Sequence, residues 1–151
     1  MNVEKIQQAM TDSLDYYGDN FGPFQHKQAK VVEFAGPANF GQDFPNIIAY
    51  SDQAGFIHDQ RDPNDADQVY WFIGHEMAHQ WWGAQLNAAN VQGGTMLVET
   101  LAQYSAFMLI KKKHGAERLR KMLKFELNRY LLGRGRDASI EQVLILSLIH
   151  I

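Results

Sequence analysis

His75-Glu76-Met77-Ala78-His79 sets two imidazoles four residues apart. In an α-helix that spacing stacks both rings one turn apart on the same face, whereas in an extended strand it separates them by about 13 Å. Only the helix lets both rings reach one ion. The flanking residues agree with a helix over Pro63 to Trp82. Asp62-Pro63-Asn64-Asp65 supplies capping side chains, a proline suited to the first helical position and acids for the positive helix end, and Gly83 can stop the run. Glu76 is rotated about 100° from His75, which sets its carboxylate beside a metal-bound water rather than among the ligands. That is the position of a general base, so Glu76 is the candidate catalytic residue.

A catalytic zinc takes three protein ligands and leaves a fourth position for water. Between Gln80 and Lys113 the sole Asp, Glu, His or Cys is Glu99, which makes His75, His79 and Glu99 the candidate ligands of one Zn2+. Glu99 falls near the start of a further helix, capped by Thr95, reaching His114 and stopped by Gly115; another is expected from Ala116 to about Leu132. The chain must therefore turn between Gly83 and Gly93-Gly94 and lay one helix against the other.

Upstream, Val3, Ile6, Met10, Leu14 and Tyr17 recur at helical steps, with Gly18 available to end the helix in a left-handed conformation. Phe21-Gly22-Pro23-Phe24 reads as a turn. Strands are expected at Ala29–Phe34, Ile47–Ser51 and Phe56–His58, and residues 36–46 read as Gly/Pro/Asn-rich loop. Strands first and helices last give an α+β class.

At 151 residues, 46% hydrophobic and 21% charged, the chain has the size and composition of one core-forming domain. It has no cysteine, hence no disulfide framework or thiolate ligand. Its longest nearly apolar stretch, Val143 to Ile149, is far below the roughly 20 residues of a membrane span, and the N-terminus carries no signal-peptide pattern. Charge is uneven: residues 1–110 hold 4 Lys/Arg against 13 Asp/Glu, and residues 111–136 hold 10 against 2. The basic residues interleave with Leu119, Met122, Leu123, Leu127 and Tyr130 at helical spacing, as on a solvated helix face, so no nucleic-acid partner is assigned.

His75 to Gly83 resembles the HE-x-AHQW-x-G signature of zinc aminopeptidases of the membrane alanyl aminopeptidase family, within the gluzincins. Glu99, Ala102 and Tyr104 resemble that family's E-x-x-A-x-Y segment, and Phe21-Gly22-Pro23-Phe24 resembles its FGPY-type turn. Val91-Gln92-Gly93 and Glu99-Thr100-Leu101-Ala102-Gln103-Tyr104-Ser105-Ala106 are most similar to bacterial membrane proteins that join an ABC-transporter permease to such a peptidase. The resemblance implies a thermolysin-like catalytic core, zinc-dependent removal of N-terminal residues from a peptide substrate, and a parent fused to a membrane permease. Two alternatives stand beside it: a gluzincin endopeptidase, and a catalytically idle metal-binding module of a transporter. The chain departs from the family twice. Nineteen residues, rather than 18, separate His79 from Glu99, a difference that one extra loop residue near Gly93-Gly94 absorbs. Residues 49–57 align with the family's G-x-M-E-N-x-G-L-I edge strand, placing Asp52 where a glutamate holds the substrate's α-ammonium, but without that motif's glycine and asparagine.

The resemblance further implies that the family's oxyanion-stabilising tyrosine falls beyond Ile151, so the core is expected to be C-terminally truncated. Leu146-Ser147-Leu148-Ile149-His150-Ile151 reads as the translation of CTG TCT CTT ATA CAC ATC, a transposon end used in preparing sequencing libraries. The expected organisation is a partial catalytic domain over 1–145 and an adapter-derived tail over 146–151, with Met1 an internal methionine of the parent.

Overall fold

The computed structural model describes residues 1–36, 40–62, 65–91 and 93–136; the expected tail at 146–151 lies outside them. Helix α1 (Val3–Phe21) is followed by strands β1 (Lys30–Phe34), β2 (Gly41–Phe44) and β3 (Ile47–Ser51), a single π-helical turn (Asp52–Phe56), helix α2 (Gln68–His79) and helix α3 (Gly94–Arg136). The chain is thus a mix of helices and one three-stranded sheet. Helix α3 bends at Gly115, whose φ of 85° breaks it into arms 94–114 and 116–136, where sequence places a stop and a restart.

The expected stripe on α1 holds at Ile6 and Tyr17, which are buried, and fails at Val3, which is 48% exposed. Gly18 does not end the helix. The left-handed residue is Gly22 (φ 106°), whose N–H bonds Gly18 O at 3.2 Å. The extra turn has an apolar cause: Phe21 stacks on Tyr17 and meets Trp82 edge-on, with centroids 5.6 and 4.9 Å apart.

The sheet order is β1-β3-β2, with β1 parallel and β2 antiparallel to β3. Two expectations are corrected here. Residues 41–44 are a strand, not loop, because Pro45 and Asn46 close a two-residue hairpin in which Asn46 takes φ 61°. Phe56–His58 is not a strand. Its carbonyl neighbourhood is filled instead by the N-terminus: Asn2 Nδ2 donates to Gly55 O (2.7 Å) and His58 O (2.8 Å), and Asn2 N–H to Phe56 O. Gly55 fits there only because it lacks a side chain, since a Cβ would sit 2.3 Å from the Tyr50 ring.

Helix α2 is shorter than expected. It starts at Gln68, capped by Asp67, whose carboxylate accepts from Tyr70 N–H and from Lys5 Nζ; Pro63 and Asn64 lie outside the described residues. At its other end Gln80 and Trp81 bond three residues back, to Met77 and Ala78, so the last turn tightens before Gly83 (φ 116°) redirects the chain. Trp81 enters the core, while Trp71, Phe72 and Trp82 pack against it. Among the described residues no helix is long and apolar enough to cross a membrane.

Helices α2 and α3 meet along small residues. Gly74 and Ala78 repeat at i, i+4 on one side, Ala102 and Ala106 on the other, and a Cβ on Gly74 would lie 3.7 Å from Ala106 Cβ and 3.1 Å from Leu109. Behind this seam, Tyr17 OH donates to Gly74 O, and buried Asp12 accepts from Tyr70 OH and Lys113 Nζ, each at 2.8 Å.

Ala106→Leu should overpack the seam and cost about 1–3 kcal/mol in denaturant unfolding. A second expectation follows from Asp12, whose carboxyl is raised by burial but held below its ordinary value by bonds from Lys113 and Tyr70. A depressed folded-state pKa adds stability above the unfolded value near 4 that disappears as pH falls through the folded one. Lys113→Met should therefore destabilise by about 1–2 kcal/mol at neutral pH, with the gap to wild type closing below about pH 4 in pH-resolved unfolding.

Candidate metal centre

His75 and His79 leave α2 on the face turned toward α3, and Glu99, three residues before Ala102 on the seam, reaches back from the first turns of α3. His75 Nε2 and His79 Nε2 lie 3.1 Å apart, and Glu99 Oε2 lies 3.3 Å from the first and 3.5 Å from the second. Two donors held about 2.05 Å from a tetrahedral zinc stand ~3.3 Å apart. The three edges match that spacing on all sides.

The donor chemistry fits a cation as well. His79 Nδ1 is 3.0 Å from Trp82 O, a carbonyl that can only accept, so Nδ1 carries a hydrogen, and in the neutral ring Nε2 presents its lone pair. His75 Nδ1 lies 3.1 Å from Gln103 Oε1. With both rings neutral, lone-pair atoms of three side chains converge, an arrangement that a shared cation would favour. Protons feel the same field. Burial pulls the His79 imidazolium down, yet the Glu99 carboxylate outweighs it and pushes the pKa to about 9, while the two histidines hold Glu99 well below the usual carboxylate range.

Glu76 is 6% exposed and stands apart from the triangle. Burial raises its pKa first; His75 and His79 oppose this, and the Asp43 and Glu99 carboxylates add to it. Asp43, on β2, is a neighbour that sequence reasoning missed: its carboxylate, that of Glu76 and a ring nitrogen of His79 lie within 4.8 Å of one another. Its only sequence-level trace is the Pro45-Asn46 turn that brings β2 back along β3.

Gln80, also missed, makes that placement firm. It is 1% exposed; its Oε1 accepts from Asn46 N–H at 2.8 Å and its Nε2 donates to Phe44 O at 3.0 Å, so one amide grips the hairpin at the end of the ligand-bearing helix. Asp52 joins neither cluster. It opens the π-helical turn after β3, with Oδ1 accepting from Gln53 N–H at 2.7 Å. β3 itself is central, paired on both sides, so it cannot offer the free edge that the alignment with an edge strand predicts. Among the described residues the sheet edge next to α2 belongs to β2.

Compared with protein-family models, with curated proteins and with solved structures, the chain matches none.

One zinc per chain is the expected stoichiometry, measured by equilibrium dialysis with elemental analysis. His79→Ala should abolish it. Glu76→Gln and Asp43→Asn should retain it, because neither carboxylate belongs to the His75-His79-Glu99 triangle; loss of zinc in both would move the ion to the Asp43-Glu76-His79 group.

Proposed function

We propose that the chain is the catalytic core of a zinc-dependent peptidase of thermolysin-like architecture, acting as an aminopeptidase. The observation that supports this best is the triangle of His75 Nε2, His79 Nε2 and Glu99 Oε2, with edges of 3.1, 3.3 and 3.5 Å. A zinc ion held by these atoms supplies a Lewis acid that polarises a carbonyl and acidifies water. The chain supplies the rest. Glu76, buried and pressed by Asp43 and Glu99, is a stronger base than an exposed carboxylate. It takes a proton from the attacking water and passes it to the departing amine nitrogen.

The substrate backbone needs hydrogen-bond partners beside that base. The outer edge of β2, Gly41 to Phe44, pairs with no further strand among the described residues and suits an extended peptide added there. Selectivity for a free N-terminus calls for an anionic group to meet the α-ammonium. Asp52 is the candidate by register, and Asp43 joins it as the carboxylate nearest Glu76.

The test is hydrolysis of alanyl and leucyl anilides and of an internally quenched peptide, each with a free and with an acetylated N-terminus, by the zinc-loaded protein. An aminopeptidase cleaves the free forms, loses them to a chelator and spares the acetylated ones. Glu76→Gln should lower kcat by about 100- to 10,000-fold with zinc still bound. Cleavage of the acetylated internal bond would assign an endopeptidase, and zinc binding without turnover would assign an idle module.

A further inference from the structure

We propose that Gln103 is a positioning residue that sets the tautomer of His75, and that Trp71 sets the orientation of Gln103. This rests on the metal reading only for its consequence; the hydrogen-bond logic stands by itself. Gln103 follows Glu99 by one turn of α3, and Trp71 precedes His75 by one turn of α2, so the four side chains face one another across the helix seam. A single atom, Gln103 Oε1, receives both Trp71 Nε1 at 3.2 Å and His75 Nδ1 at 3.1 Å.

The two ends of a glutamine amide have nearly the same shape, so the partners decide which end points inward. An indole N–H can only donate. Trp71 therefore admits the amide oxygen and repels the amide nitrogen. The oxygen can only accept, so it draws the hydrogen of a neutral His75 to Nδ1, against the pull of Glu99 Oε2 at Nε2, and Nε2 is then bare toward His79 Nε2 and Glu99 Oε2. With the amide reversed, the NH2 group would favour the other tautomer, and the His75 hydrogen would occupy the point where the three donors converge. Trp71 is itself steadied by Arg129, 5.9 Å from its ring centroid and paired with Glu126 at 2.9 Å. His79 has no such relay, because a backbone carbonyl cannot flip.

The experiment uses nitrogen-15 NMR of the His75 ring in the metal-free full chain, with the ring neutral, together with zinc affinity by chelator competition. Wild type should show the Nδ1–H form. Gln103→Leu should shift His75 toward the Nε2–H form and weaken zinc about 10- to 100-fold. Gln103→Glu keeps acceptor oxygens and should restore both within a few-fold. Trp71→Phe keeps a ring but frees the amide to flip, so it should give a mixed tautomer and an intermediate affinity, and it carries the test should Gln103→Leu not fold. An unchanged tautomer in both Gln103→Leu and Trp71→Phe overturns the proposal, as does a Gln103→Glu protein no better than Gln103→Leu, which would reveal a packing role only. A wild type that binds no zinc yet shows the expected tautomers would refute the metal reading and leave the relay standing.

Discussion

The close approach of α2 and α3 governs everything the site can do. A Cβ on Gly74 would lie 3.1 Å from Leu109 and 3.7 Å from Ala106 Cβ, and Ala78 and Ala102 are fully buried. Each candidate ligand hangs from this seam: His75 and His79 follow Gly74 and Ala78 by one residue, and Glu99 precedes Ala102 by three. Bulkier residues would hold the axes further apart, and a glutamate side chain would then fall short of the imidazoles. Packing density, which looks like a matter of stability alone, here sets interatomic distances at the candidate centre.

Electrostatics makes the same geometry costly without a cation. Two imidazole nitrogens and a carboxylate oxygen converge within 3.5 Å, with the buried Glu76 and half-buried Asp43 carboxylates close by. Glu99 raises the proton affinity of His79 against burial, whereas burial first, and then the Asp43 and Glu99 carboxylates, raise that of Glu76. The helices, the hairpin gripped by Gln80 and the buried Asp12-Lys113-Tyr70 cluster hold these groups in place. An ion bound as proposed would find its donors already converged, which lowers the reorganisation that binding requires.

How much of this was legible in the sequence depended on the distance over which each feature is encoded. His75 and His79 are four residues apart, and helical geometry alone brings them together. Glu99 could be picked out because no other acid, histidine or cysteine occupies the stretch from Gln80 to Lys113. Gln80, Gln103 and Asp43 could not be picked out, since their roles arise from contacts across 28 to 36 residues that no local pattern records. β2 was missed because four residues with a glycine and an aspartate carry little strand propensity, although Pro45-Asn46 marks the turn that creates it. Phe56–His58 looked like a strand, but Asn2 takes up its carbonyls. The place of β3 at the sheet centre depends on how β1 crosses over, which periodicity does not encode.

The central claim is that one zinc ion is held by His75, His79 and Glu99. A crystal structure of the zinc-loaded protein with anomalous data on both sides of the zinc edge tests it most directly. A single anomalous peak is expected about 2.0–2.2 Å from His75 Nε2, His79 Nε2 and a Glu99 oxygen, in tetrahedral arrangement, with the helix seam unmoved. A peak between Asp43 and Glu76, or no peak in a crystal that retains the triangle, would contradict it.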